Sequence, residues 1–469
     1  PQPATDPGTE SPGPPFASRL LARAPRAARA PPRRNPPTEN LLHLGMNHPL
    51  RRGAARATPL LAIALASAAA VAVVAWQGPS SLRATIRAPA QRSAPAAGLA
   101  RLGPARRGPS CRAVEQVIET HTKQVKGKSW LKCVPIGSGS AAPDDRITNV
   151  DLEKQVNTSD AWISQRTGIS ARHVLTGDKK LSTLGARAAE AALENAGLKG
   201  EDVDLVIVAT SSPDDLFGDA TSVAHNIGAK DAVAFDLTAA CSGFMFAMIT
   251  AGQYLDTGFA KRAVVVGADA LSRWVDWDDR NSCILFGDGA GAVVLEAVSD
   301  SQASGMLGFA MHSDGSKQEH LALPYAGKSQ SLSSGHQPTK GGYNPITMNG
   351  KEVYKFATSE VPRVINEALE NAGLTADDLD HLLLHQANIR IMEVVAKKLG
   401  LSMDQVIRNI DEYGNTSAGS MPLALDEAVR SGKVKEGDVI AFAGFGAGLS
   451  WGASIVRWGG QGKPTTAEA

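Results

Sequence analysis

The heptad ALENAGL is spelled twice in this chain, at Ala192–Leu198 and at Ala368–Leu374. The first copy continues KGEDVDLVIV and the second TADDLDHLLL, in the same order of charged turn and apolar run. An offset of 176 residues is far longer than the solenoid unit of roughly 20 to 50 residues. The repeat therefore predicts two related halves of one fold.

Strand-like and helix-like stretches alternate from about Lys132 to Gly459. VDLVIVAT, DAVAFDLTA, RAVVVGAD and AVVLEAV are short, β-branched apolar runs, as expected of strands buried on both faces. Between them, STLGARAAEAALENAG and SGFMFAMITAGQYLDTG read as helices ended by Gly197 and Gly258. The second half repeats the rhythm with VPRVINEALENAG, HLLLHQ, MPLALDEAVRSG and DVIAFAGFG. This alternation argues for a layered α/β domain. The expected organisation is a leader and targeting region over 1–114, a linker over 115–131, halves over 132–300 and 301–459, and a tail over 460–469.

The net charge of +1 hides an uneven chain. Residues 1–114 carry sixteen arginines against three acids, a charge of +13, which leaves −12 for the remainder. An acidic body argues against nucleic acid as a partner. Residues 1–45 are crowded with Pro, Ala and Arg, a composition that does not bury enough apolar surface to fold. Met46 opens an Arg-bearing stretch before the apolar segment Leu60–Trp76, and an acid-free run rich in Arg, Ser and Ala follows. A signal segment followed by a transit segment predicts delivery to a plastid enclosed by additional membranes, with a mature enzyme free of the membrane. A membrane anchor over Leu60–Trp76 is the alternative. Cys111, Cys133, Cys241 and Cys283 form no CxxC pair and no metal-ligand spacing, so neither a disulfide framework nor a metal site is expected.

Three segments carry chemistry. In DLTAACSGFMFAM (Asp236–Met248) a strand runs through a small-residue turn into a helix, with Cys241 at the junction. Backbone N–H groups and the dipole of a helix N-terminus favour the nucleophilic thiolate there. In HLLLHQANIRIMEVVAKKLG (His381–Gly400), His385 closes a strand. In EYGNTSAGSMPLALDEA (Glu412–Ala428), Asn415 lies in a Gly-Asn-Thr-Ser turn ahead of a helix. Cys283, in NSCILFG, reads as a packed core residue, and FGDGAGAVVLE as a tight turn feeding a strand, because it lacks the spacing of a nucleotide loop.

Together TAACSGF, HQANIR and GNTSAGS, in that order, resemble the Cys-His-Asn active site of the β-ketoacyl-acyl-carrier-protein synthase III family, condensing enzymes of the thiolase superfamily. The resemblance also takes in DLEKQVNTSDAWISQRTGI and GFGAGLSWGASIVRW, and so spans about Lys132–Gly459. It implies a thiolase fold, two duplicated βαβαβαββ halves in a five-layer αβαβα arrangement, with the active site between them. It further implies that Cys241 is acylated by a short acyl-CoA, that malonyl-acyl-carrier protein then loses CO2, and that His385 and Asn415 stabilise the resulting enolate. No cofactor or metal is implied. Elongating ketoacyl synthases resemble this pattern but carry a second His where Asn415 stands; chalcone-type synthases share the triad.

Further roles follow from the resemblance alone. The backbone N–H groups of Cys241 and Ala447 would form the oxyanion hole, and Trp162, Arg166 and Arg280 would contact CoA. Phe217 would reach the acyl pocket of a second copy in a homodimer. Lys355, Arg390, Lys397 and Lys398 would dock the acidic acyl-carrier protein. A synthase III relative of polyketide or secondary metabolism, and a catalytically silent carrier-protein-binding homologue, are the competing expectations.

Overall fold

The computed structural model describes residues 131–299 and 305–460. Each copy of the repeated heptad closes a helix in it. The helices Leu181–Ala196 and Gly350–Ala372 stop at Gly197 and Gly373, whose φ angles of 70° and 71° lie in the left-handed region that glycine enters without a steric penalty. The next residue closes the cap in both copies: Leu198 N–H donates to the Leu193 carbonyl and Leu374 N–H to the Leu369 carbonyl, each at 2.9 Å. A one-turn 3-10 helix follows each cap and ends on an aspartate that accepts the backbone N–H of the residue before the turn, Asp202 from Lys199 and Asp378 from Thr375. The heptad is thus a local instruction to end a helix and turn into a strand.

The main elements of the first half are β1 (Cys133–Ala141), α1 (Leu181–Ala196), β2 (Leu205–Ala209), α2 (Ala220–Asn226), β3 (Val233–Leu237), α3 (Gly243–Asp256), β4 (Arg262–Ala270) and β5 (Asp288–Ala297). Those of the second are β6 (Met306–Ser313), α4 (Gly350–Ala372), β7 (His381–Leu384), α5 (Ile389–Leu399), β8 (Val406–Ile407), α6 (Ser420–Arg430), β9 (Val439–Gly446) and β10 (Ser450–Arg457). The first sheet runs β1-β5-β4-β2-β3 and the second β6-β10-β9-β7-β8, the same order strand for strand. In each, the last three strands are parallel and the other two pairings antiparallel. The doubled βαβαβαββ order expected from the resemblance is present.

Burial explains the layering. Helix α3 carries Phe244, Met245, Met248 and Ile249, and α6 carries Met421, Ala424, Leu425 and Ala428; all share one core with Leu205 and Val265 of the first sheet and Leu383 and Phe442 of the second. Each large apolar side chain withdrawn from water contributes about 1.5–3 kcal/mol, so these two helices belong between the sheets. Helix α1 covers the outer face of the first sheet through Leu184, Ala188 and Ala192. Helices α4 and α5 cover the outer face of the second through Val361, Ile365, Met392 and Val395. The result is five layers.

Two local features depart from simple expectation. The run DAVAFDLTA forms β3, but as an edge strand of half-exposed residues rather than one buried on both faces, with β2 its one partner among the described residues. Inside α4, Pro362 lacks the N–H that would bond the Thr358 carbonyl. The Lys398 ammonium, from α5, donates to that carbonyl at 2.9 Å instead. Among the described residues no helix is long and apolar enough to cross a membrane. The targeting region expected over 1–114, the linker up to residue 130 and the tail beyond 460 lie outside the described residues.

Candidate active site

Strand β3 leads to a 3-10 turn, Ala240–Ser242, that opens α3; Cys241 sits in that turn. Its duplicate in the second half is the 3-10 turn Ser417–Gly419, which opens α6. Both turns hold a non-glycine residue in the left-handed region, Ala240 at φ 48° and Ser417 at φ 51°. The turns face each other, and the Ser417 hydroxyl donates to Cys241 Sγ at 3.3 Å. Close approach is possible because Gly267 of β4 has no side chain: a Cβ there would lie 2.2 Å from the Ala418 carbonyl oxygen.

Asn415 and His385 join this arrangement through the same segment. Asn415 is held by backbone bonds to Leu285 and Gly287, and its Oδ1 accepts the Ser417 N–H at 2.9 Å. His385, one residue beyond β7, bonds through Nδ1 to Ser420 Oγ at 2.8 Å, and Ser420 Oγ also accepts the Gln386 N–H at 3.3 Å. The Phe445 ring meets the imidazole edge-on, with centroids 5.6 Å apart. Residues 415–420 therefore contact Cys241 through Ser417 and His385 through Ser420. Cys241, His385 and Asn415 are all buried, 6 %, 3 % and 7 % exposed.

A cavity of about 900 Å3 opens onto Cys241, Ser417 and Ala447, with Phe217, Trp274, Phe286 and Tyr343 among its apolar walls. His385 and Asn415 are not part of that wall. Gly446 lies against the backbone of Cys241: a Cβ there would stand 2.7 Å from Cys241 N.

Electrostatics correct one expectation. A helix N-terminus predicts a depressed thiol at Cys241, yet burial pushes the thiol up to about 12, with the buried Asp269 carboxylate adding to the rise and the Ser417 hydrogen bond opposing it. Loss of water outweighs the helix end. Burial also lowers His385 to about 3, so its imidazole is neutral at neutral pH. Asp269 is itself raised by burial, partly offset by donors that include the N–H groups of Ser211 and Ala418 and the Ser212 hydroxyl.

The remaining expected residues lie farther out. Arg166 and Arg280 each place a guanidinium 4.8 Å from the Trp162 ring centroid. Arg280 also donates to the Asn157 carbonyl. Phe217 lines the cavity and is 98 % exposed. Arg390 donates to the Gln165 carbonyl, Lys355 pairs with Glu352, and Lys397 is exposed on α5. Cys133 and Cys283 are buried, which agrees with the packing role read for Cys283; Cys111 lies outside the described residues.

Family models for 3-oxoacyl-[acyl-carrier-protein] synthase III match residues 235–315, and for its C-terminal part residues 369–458. A beta-ketoacyl-[acyl-carrier-protein] synthase III of Prochlorococcus marinus is 56% identical over 325 residues, 69% of this chain and 96% of the relative. The Trichormus variabilis enzyme of the same name is 53% identical over 323 residues, 69% of this chain and 97% of its own. The crystal structure of the Aquifex aeolicus 3-oxoacyl-[acyl-carrier-protein] synthase III, 41% identical, superposes with a TM-score of 0.63 over 70% of this chain and all of that one. The chain belongs to the β-ketoacyl-acyl-carrier-protein synthase III family.

The two stretches matched by the synthase III models contain Cys241, His385, Asn415 and Ala447. A priming beta-ketosynthase of the R1128 polyketide pathway has the same fold at 33% identity and a TM-score of 0.63, over 72% of this chain and 99% of that one. Sequence reading of this synthase III family member missed Ser417, Ser420 and Asp269. Ser417 matches Ala240 at the head of the duplicated turn, an offset of 177, so the heptad offset of 176 does not mark it. Ser420 and Asp269 carry no mark either, since one is the first residue of a helix and the other the polar end of an apolar strand.

Proposed function

We propose that this acyltransferase catalyses the initiating condensation of type II fatty acid synthesis, in which acetyl-CoA and malonyl-acyl-carrier protein give acetoacetyl-acyl-carrier protein, CoA and CO2. The observation that carries the reading is the segment Asn415–Ser420, which touches Cys241 through Ser417 and His385 through Ser420. In the first stage Cys241 Sγ attacks the acetyl thioester; the C–S bond to CoA breaks, and CoA leaves with the thiol proton. The N–H groups of Cys241 and Ala447 receive the transient oxyanion.

In the second stage malonyl-acyl-carrier protein loses CO2, the enolate carbon bonds to the acetyl carbonyl, and the Cys241 sulfur is released. A neutral His385 suits this stage. In this reading Ser420 Oγ, which accepts the Gln386 N–H and bonds Nδ1, gives its own proton to Nδ1, so that Nε2–H is the donor toward the thioester oxygen. Asn415, its Oδ1 engaged by Ser417 N–H, keeps its amide hydrogens as the second donor of this reading. Such donors act most where charge develops in the transition state.

The reading extends to CoA contacts at Trp162, Arg166 and Arg280, to carrier-protein docking by Lys355, Arg390, Lys397 and Lys398, and to a homodimer in which the exposed Phe217 enters the second copy's acyl pocket. Plastid delivery is part of the same proposal, supported by the Arg-rich, acid-free stretch before Glu115 and by the cyanobacterial relatives. The test is intact mass after acetyl-CoA, with Cys241→Ser as control. A gain of about 42 Da at Cys241 that disappears on addition of malonyl-acyl-carrier protein, with acetoacetyl product, is expected. An adduct only with longer or branched acyl-CoA would favour priming of a polyketide; none with any primer would overturn the catalytic reading.

A further inference from the structure

We propose that Ser417 is a positioning residue for the nucleophile: its hydroxyl seats the Cys241 sulfur and stays bonded to it as negative charge gathers there. The inference rests on the reading of Cys241 as the nucleophile. It starts from the 3.3 Å bond from Ser417 Oγ to Cys241 Sγ, both atoms belonging to side chains at the buried end of the cavity.

The serine is held in place independently of the sulfur. Its N–H is taken by Asn415 Oδ1 at 2.9 Å, the next N–H by Asp269 Oδ2 at 3.1 Å, and Gly419 N–H by the Thr416 carbonyl at 3.0 Å. These bonds hold residue 417 at φ 51°, a conformation a non-glycine residue keeps only when its surroundings require it. The duplicate turn shows that the hydroxyl is not what makes the turn: Ala240 adopts φ 48° with only a methyl group. The serine hydroxyl therefore serves what it touches: it donates to the sulfur, and it also stands in hydrogen-bond contact with the Asp269 carboxylate.

It also serves a need specific to this sulfur. Cys241 is removed from water and faces the buried carboxylate of Asp269, two influences that disfavour a thiolate. Ser417 supplies the side-chain hydrogen bond that reaches Sγ, beside the contact of the Cys241 backbone N–H. Hydrogen bonds to charged groups are about twice as strong as neutral ones, so the contact strengthens as the sulfur ionises.

The experiment compares wild type, Ser417→Ala and Ser417→Gly as full chains. Iodoacetamide alkylation at pH 8 is mapped to Cys241 by mass, and steady-state kinetics are measured with acetyl-CoA and malonyl-acyl-carrier protein. Both variants are expected to alkylate about three- to tenfold more slowly and to lose about tenfold or more in kcat/KM for acetyl-CoA, with KM for the malonyl carrier unchanged. Cys283, which is buried and does not line the cavity, reports intact folding by labelling only after denaturation. Unchanged alkylation and kcat/KM in Ser417→Ala would overturn the proposal. So would a defect in Ser417→Ala that Ser417→Gly restores, since it would lie in the left-handed backbone and not in the hydroxyl. Slower alkylation of both variants in a protein whose Cys241 never accepts acyl groups would support the seating of the thiol and overturn only the catalytic reading.

Discussion

Ser417 and Cys241 are 176 residues apart in the chain and 3.3 Å apart through their side chains. The same number separates the two ALENAGL copies, which lie at the outer layers and not at the site. The duplication that terminates α1 and α4 in the same way also sets the turn Ala240–Ser242 against its own duplicate, Ser417–Gly419, at an offset of 177 that matches Ser417 to Ala240. The candidate site lies where the two copies of one turn meet. One copy supplies the sulfur, the other the residues that surround it.

Gly446→Ala tests how closely the chain packs behind the nucleophile. The added Cβ would fall 2.7 Å from Cys241 N and 3.1 Å from Ala240 Cβ. Displacing the Cys241 N–H removes a proposed oxyanion donor, and one such donor is worth about 100- to 1000-fold in rate. Single-turnover acetyl transfer should fall by that order, with a stability loss of about 1–3 kcal/mol in denaturant unfolding.

Asn415→Asp and Asn415→Ala separate two roles of one side chain. The aspartate keeps an oxygen for Ser417 N–H but loses the amide donor; alanine loses both. Condensation should fall about 100-fold or more in each. Acyl-Cys241 formation, followed by mass, should survive better in the aspartate variant.

The pH dependence of stability has a defined sign at both ends. His385 is lowered from 6.5 to about 3, so the unfolded chain binds a proton in that window that the fold excludes. Its contribution is complete above pH 6.5 and is lost as pH falls toward 3. Cys241 is raised from 9.0 to about 12, so its contribution is complete below pH 9.0 and is lost as pH rises toward 12. Denaturant unfolding from pH 4.5 to 10.5 should show a shallower acid decline in His385→Asn and a shallower alkaline decline in Cys241→Ala.

Trp162→Ala removes the ring that both Arg166 and Arg280 cover. Exposed cation–π contacts are worth about 0.5–1 kcal/mol each. KM for acetyl-CoA should rise about five- to tenfold with kcat little changed, whereas a short acetyl-pantetheine thioester without the adenine should be insensitive to the substitution.

Charge reversal on α5 distinguishes docking from structure. Lys397→Glu should raise KM for malonyl-acyl-carrier protein several-fold and weaken its salt dependence, without lowering the melting temperature. Lys398→Glu should do both, because Lys398 also satisfies the Thr358 carbonyl left open by Pro362. An unchanged KM in both would remove these lysines from the docking surface.

Sequence by itself determined the doubled architecture. Helix ends, strands and turns are written in short windows: a glycine that enters the left-handed region after ALENA, apolar runs of strand length, an aspartate that caps the next turn. Those signals are local, so they survive without knowledge of what packs against them, and Cys241, His385 and Asn415 could be singled out by the segments that carry them. Only the tertiary structure decided that one segment, Asn415–Ser420, reaches both Cys241 and His385. It also reversed the sign at Cys241, seated Lys398 on an open carbonyl and made β3 an edge. These depend on which distant segments exclude water or leave a polar group unmatched, and such neighbours are chosen by packing across the whole chain.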